Sequence, residues 1–364
     1  MKLSEICKEI ENIAPLSLQE HYDNSGLIIG NIGKNVNHVL ICIDVTEAVI
    51  EEAIAENCDL IISHHPLIFS GLKKFNGETP TEKIVQKALI HNIAVYAAHT
   101  NLDNVSGGVN QILCKKLGLK NTRILSPKKN ILRKLITFCP EMNANQVRKA
   151  LFDAGAGNIG NYDACSFNSA GWGTFRANES ANPFVGEVNQ IHEEKEIKIE
   201  VIYPEFIENR LLKALIQNHP YEEVAYDIVP LANALSLAGA GMIGETEYDE
   251  KEYDFLMKVK NIVKTGMIRH SELLNKPVKK VAVCGGSGSF LIKEAIAADA
   301  DVFISGDIKY HDFQQSEKRI VIADIGHFES EQFAKELLFN LLNKKNSTFA
   351  VRISTTETNP VNYL

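Results

Sequence analysis

Several things are missing from this sequence, and each absence narrows the field. No apolar run reaches the ~18 residues that a membrane-spanning helix needs, so no membrane span is expected. Positive charge is scarce: 46 Asp and Glu against 38 Lys and Arg give a formal charge of −8. That balance argues against nucleic acid or an anionic membrane as partners, since both select clustered Lys and Arg. The 7 cysteines are odd in number and scattered, and they form no Cys-x-x-Cys pair. A disulfide or zinc framework is therefore not expected; several lie in apolar strand-like runs, as reduced core residues of a cytoplasmic protein would. The N-terminal stretch MKLSEICKEIENIAP reads as an amphipathic helix rather than a signal peptide. Leu3, Ile6, Ile10 and Ile13 share one face, and charged residues break any apolar core segment.

What is present suits a soluble α/β protein. With 364 residues, 45% of them apolar, the chain is long enough for two or three domains with buried cores. From residue 37, strand-like and helix-like runs alternate, with Thr46 and the Thr79-Pro80 pair as helix starts, which predicts a mostly parallel sheet covered by helices. Residues 120–130, basic and interrupted by Pro127, read as a linker. The segment after them follows the order β-α-β-β-α-β of a ferredoxin-like domain, with the Gly-, Asn- and Ser-rich residues 157–183 as hairpins and loops. The strand–helix alternation then resumes and ends in a long helix over 329–345. The expected organisation is an α/β domain formed by 1–127 and 238–364, interrupted by an inserted α+β domain over 128–237.

The residues that carry chemistry stand where apolar strands end. His64 and His65 follow the run LII and precede Pro66. Adjacent strand residues point to opposite sides, so the two imidazoles suit two different ions better than one. Asp103, in HTNLD, follows the next strand, and its neighbour His99 suits a ligand, a supporting group or a proton carrier. His327 and Glu331 form His-x-x-x-Glu after a further strand; on a helix this spacing puts both on one face. Taken singly, each is an ordinary turn or helix-cap residue. Together they place three histidines and two carboxylates at the carboxyl ends of three strands of one expected sheet, where sites in such sheets lie. The mixed N/O set suits Zn²⁺, Mn²⁺, Fe²⁺ or Co²⁺. Five side chains exceed what one catalytic ion with an open position takes, but suffice for two ions if a carboxylate bridges them. CGGSGS (284–289) opens a helix and could cradle an anion, although a tight turn looks the same. In SGDIKYHD, Asp307, Lys309 and His311 offer acid/base or phosphate contacts. Asp23 and Asn24 precede another apolar run and suit a turn, and His219 with Glu222 and Glu223 suits loop packing.

LSEIC, DNSGLIIG, ISHHPLIF, HTNLD, GGSGS, SGDIKYHD and IGHFESE, in this order, resemble the GTP cyclohydrolase I type 2 homologs, the NIF-three-like proteins. The resemblance spans essentially the whole chain, and GNYDACSF, ANPFVGE and HPYEEVAYDI look like the PII/CutA-like insert of the longer bacterial members. It implies two intertwined α/β subdomains around a dinuclear divalent-metal site: His64 and Asp103 on one ion, His65 and His327 on the other, Glu331 bridging. It implies a homohexameric ring and, through the family's name, hydrolytic opening of a guanine imidazole ring, with a nucleotide or small anion as substrate and His99 or His311 moving protons. Because a separate insert is unnecessary for hydrolysis, a metal-binding ring with a regulatory or interaction role stands as the alternative.

Overall fold

Apolar runs broken by helix starts set the order of the elements. In the structure, a computed structural model that describes residues 1–343 and 349–364, five strands come first: β1 (Gly26–Ile29), β2 (His38–Cys42), β3 (Leu60–Ser63), β4 (Ala94–Ala97) and β5 (Lys120–Lys129). Four form a separate sheet: β6 (Leu132–Pro140), β7 (Phe167–Arg176), β8 (Ile191–Pro204) and β9 (Tyr226–Leu231). The last six are β10 (Ala234–Lys251), β11 (Arg269–His270), β12 (Pro277–Ser287), β13 (Val302–Gly306), β14 (Val321–Asp324) and β15 (Ala350–Ile353). The chain divides into one unit made of Met1–Pro127 and Leu237–Leu364 and another made of Lys128–Ser236.

The larger unit holds two sheets, where the strand–helix alternation alone suggested one. Their orders are β1-β4-β3-β2-β15 and β11-β14-β13-β12-β10-β5. Each has three parallel neighbours at its centre, β2-β3-β4 and β12-β13-β14. These strands are buried on both faces, which is why they read as unbroken apolar runs. Ile62, Ile41 and Tyr96 pack on one side of the first sheet, and Ile61, Leu40 and Val95 on the other. In the second sheet Val283, Ile304 and Val321 oppose Ala282, Phe303 and Ile322. The two halves exchange edges: β15, from the end of the chain, joins β2, and β5 joins the second sheet. The basic stretch 120–130 is thus a strand rather than a linker; its lysines suit the outer edge of a sheet, where charge discourages further pairing.

Helix starts follow the capping residues. Thr46 Oγ1 accepts from Val49 N–H before the helix Glu47–Ala55, and Thr79 Oγ1 accepts from Glu82 N–H before Pro80–Ile90. The helix Leu3–Glu11 buries Leu3, Ile6 and Ile10, while Ile13 lies beyond it and is exposed. The single terminal helix expected over 329–345 is two helices, His327–Glu331 and Ala334–Asn343; its final residues, Lys344 and Lys345, lie outside the described residues.

The smaller unit runs β-α-β-β-α-β in an antiparallel sheet ordered β7-β8-β6-β9, the split βαβ arrangement. Its helices Ala144–Asp153 and Glu208–Asn218 bury Val147, Leu151, Leu211 and Leu215 against Leu135, Ile199 and Val201. The glycine-rich stretch read as hairpins and loops contains the ten-residue strand β7. Its pairing with β8 from Phe167↔Glu200 to Arg176↔Ile191 overrides weak local propensity. Among the described residues no helix is long and apolar enough to cross a membrane.

Candidate metal centre

The parallel ladders bring the strand ends level. Cys42, Ser63 and Ala97 are in register across β2, β3 and β4. The ladder continues one step further: His64 N–H and His65 N–H donate to the carbonyls of Cys42 and Ile43, and Ala98 N–H donates to Ser63. Asp44, His64, His65 and His99 therefore emerge together, and the short helix Thr100–Asp103 carries Asp103 beside them. The second sheet delivers the rest. Beyond β14 the five-residue helix His327–Glu331 begins, and Asp307 follows β13. The expected ligands thus come from strand ends of two sheets, not from three strands of one.

Glu331 lies at the centre. Its Oε2 is 3.0 Å from His65 Nε2 and 3.1 Å from His327 Nε2, and these two nitrogens are 3.3 Å apart. Its Oε1 is 3.7 Å from His64 Nε2, which in turn is 3.6 Å from Asp103 Oδ1. The carboxylate therefore presents one oxygen to each of two donor sets. Among the described residues, His64, His65 and Glu331 have ligand atoms that all lie within 4.8 Å of one another. His64 is wholly buried, and among the described residues its Nε2 and Asp103 Oδ1 have no hydrogen-bond partner. An unsatisfied buried polar atom costs about 1–3 kcal/mol. A cation shared by the two would remove that cost, so the donor set fits a metal ion.

The outer nitrogens settle which atoms can ligate. His64 Nδ1 donates to the carbonyl of Ala98 (2.8 Å), His65 Nδ1 to Asp44 (2.7 Å) and His327 Nδ1 to Asp307 (2.7 Å). All three acceptors are oxygens without a proton, so each Nδ1 carries a hydrogen and Nε2 is the nitrogen that faces inward. His99 is held likewise by Asp23 (2.7 Å), and its ring centroid is 5.4 Å from those of both His64 and His65. Asp23, itself buried, also accepts from Thr100 N–H and Ser25 Oγ. It is a positioning group rather than a turn residue alone.

Electrostatics follow from this crowding. Burial disfavours the His65 imidazolium, but its hydrogen bonds to Asp44 and Glu331 outweigh that and push the pKa up to about 10. For His327 the bond to Glu331 is the main influence, aided by Asp307, and the value rises to about 9. His64 is also raised: burial opposes this, and the charges of Asp103 and Glu331 prevail. Burial lifts Asp103 to about 6. Burial presses Glu331 upward too, yet the His64 charge and the imidazole hydrogen bonds hold it well below the usual carboxylate range. The cluster thus demands positive charge at neutral pH, from protons or from metal.

The glycine loop serves this carboxylate instead of an anion. The N–H groups of Gly285, Gly286 and Gly288 donate to Asn110 Oδ1, Ser330 Oγ and Ser305 Oγ, so they are not free to cradle a phosphate. Gly286 has φ +62°, and a Cβ there would lie 2.3 Å from Glu331 Oε1. The residue is small because the carboxylate occupies the space.

His311 is not brought to the site. It lies exposed on the helix Tyr310–Gln314 against the Tyr310 ring, because Ile308 and Phe313 take the inward positions. Lys309 is likewise exposed, and Asp307 serves His327 and Ser287. His219, in the other unit, is a packed histidine with both ring nitrogens engaged, by Phe138 O and Tyr221 N–H. Four of the expected ligands, His65, Asp103, His327 and Glu331, and His99 instead border a cavity of about 730 Å³, whose walls include Tyr22, Phe69 and Phe290.

Known proteins share this architecture. The chain is 40% identical to a GTP cyclohydrolase 1 type 2 homolog of Halalkalibacterium halodurans, over 97% of this chain and 96% of that one. It is 38% identical to the protein of the same description in Bacillus subtilis, over 99% and 98%. A solved structure of a Bacillus cereus protein related to NIF3 superposes with a TM-score of 0.87 at 38% identity, covering 100% of this chain and 99% of that one. Residues 1–360 match the family described as Duf34/NIF3 (NGG1p interacting factor 3), and the chain belongs to that family.

Proposed function

We propose that the protein is a metal-dependent hydrolase that holds two divalent ions, Zn²⁺, Fe²⁺, Mn²⁺ or Co²⁺, and acts on a nucleotide-like substrate. The observation that carries this reading is the division of Glu331 between two donor sets, His64 with Asp103 and His65 with His327. Two ions so held would lower the pKa of a water and polarise a substrate atom. The chain's own residues do the rest. Asp44 and Asp307 fix the imidazoles so that Nε2 faces inward. Asp23 fixes His99 in the same way, which leaves His99 Nε2 to take and return a proton at the substrate. The rings of Tyr22, Phe69 and Phe290 border the mouth and offer stacking surfaces to a heteroaromatic base. The relatives' description points to GTP as the first substrate to try.

The test is turnover of GTP and a panel of nucleotides by protein loaded with each of the four ions, read as formate release and as product mass. Metal content is measured in parallel. Turnover that needs metal and disappears, together with the metal, in Glu331→Gln supports the reading. A fully loaded protein that turns over nothing contradicts it and favours a metal-binding regulatory protein. The separate smaller unit, with its own core, speaks for that second reading. In either case we place the chain in a homohexamer in the cytoplasm and liken its smaller unit to the PII/CutA domains; light scattering of the purified protein reads the assembly.

A further inference from the structure

The smaller unit has a cleft that the metal chemistry does not use. It measures about 600 Å³, within the usual range for small-molecule sites. It lies on the face of the four-stranded sheet away from the helices. Ile199 and Val201 of β8 point into the helical core, so Glu196 and Lys198, at the alternate positions, point the other way. Phe138 pairs with Lys198 and Gly171 with Glu196 across the strands. Phe175, Phe184 and Tyr221 form the walls; the Tyr221 ring centroid is 6.1 Å from Phe175 and 6.3 Å from Phe184.

Glu196 is the unusual member. It is only 9% exposed. Its Oε1 accepts from Tyr221 Oη–H at 2.8 Å. Its Oε2 has no hydrogen-bond or ion-pair partner among the described residues, and the nearby cations are engaged elsewhere: Lys198 with Glu200 and Lys195 with Glu141. The strand leaves room for that free oxygen. A Cβ on Gly173 would lie 2.2 Å from Oε2, while a Cβ on Gly171 would meet nothing within 4 Å. Glycine inside a strand marks a place where something approaches closely. That oxygen is left for a partner that enters the cleft, and the aromatic faces beside it attract cations. Glu222 and Glu223 at the same cleft add negative charge.

We propose that this cleft binds a small organic cation, an alkyl- or arylammonium, whose head pairs with Glu196 Oε2 and whose body packs on Phe175, Phe184 and Tyr221. The chain's one tryptophan, Trp172, borders the cleft with 68% of its surface exposed, and so supplies a reporter.

The experiment titrates the full chain with phenethylammonium and follows Trp172 emission, with phenylacetate as the anion of similar shape. Expected are a saturable change with the ammonium at roughly millimolar affinity, none with phenylacetate, and at least about tenfold weaker binding in Glu196→Gln. Gln keeps the shape and the acceptor for Tyr221, and circular dichroism checks its fold. If that variant fails to fold, the contrast between the two probes in the unaltered chain decides. No saturable response, an equal response to phenylacetate, or unchanged binding in a folded Glu196→Gln would overturn the proposal. So would emission that changes with protein concentration alone while the probe has no effect, since a second copy of the chain would then cover the cleft.

Discussion

Gly286→Ala separates the metal centre from the fold that carries it. The substitution has two consequences. At φ +62° an alanine is strained by about 1–2 kcal/mol. Its methyl would also lie 2.3 Å from Glu331 Oε1, well inside contact distance, so the carboxylate must move away from His64. Gly118→Ala is the matched control. Its φ is +78° and its methyl would meet nothing within 4 Å, so it carries the strain without the collision. Both variants should lose about 1–2 kcal/mol of stability in urea unfolding. Only Gly286→Ala should bind metal more weakly, by about 10–100-fold, the range seen when the surroundings of metal ligands are disturbed. Affinity is measured by dialysis against a metal buffer followed by elemental analysis. If Gly286→Ala binds metal as tightly as Gly118→Ala, Glu331 Oε1 is not a ligand and the two-set arrangement is wrong.

Other expectations follow from the same geometry. His65 and His327 keep their protons up to about 10 and about 9, so an arriving ion must displace them. Metal affinity should therefore rise with pH through the neutral range, and loading in weak buffer near pH 7 should release protons, about two per chain; a pH-independent affinity would contradict this. Asp44→Asn should weaken metal binding by about 10–100-fold, since the carboxylate that orients His65 is gone; calorimetric titration with Zn²⁺ reads it. Thr79→Ala should cost about 1 kcal/mol through loss of a helix cap, with no change in metal content.

Much of the candidate centre is legible in the sequence because its expected ligands sit where apolar strands stop, and a strand end is a local signal. His64, His65 and Asp103 are placed by β3, β4 and the turn after each, and His327 with Glu331 by one helical turn. The supporting shell is less legible. Asp44 and Asp307 each follow a strand as ordinary turn residues do, and nothing local says that an imidazole from 20 or 21 positions away donates to them. Strand partners are equally non-local. Parallel neighbours in one sheet and in two sheets leave the same apolar pattern, so the second sheet and the edge exchange of β5 and β15 were hidden. The glycine loop misled because glycine that admits a ligand and glycine that admits a carboxylate of the same chain look alike in sequence. The exposure of His311 is equally hard to read in advance, because it is set by two neighbours, Ile308 and Phe313, that take the inward positions.

Anomalous diffraction from a crystal grown with excess Zn²⁺ bears most directly on the centre. Two peaks are predicted, one between His64 and Asp103 and one between His65 and His327, with a Glu331 oxygen on each. A single peak, or none touching these five side chains, would contradict the two-ion account.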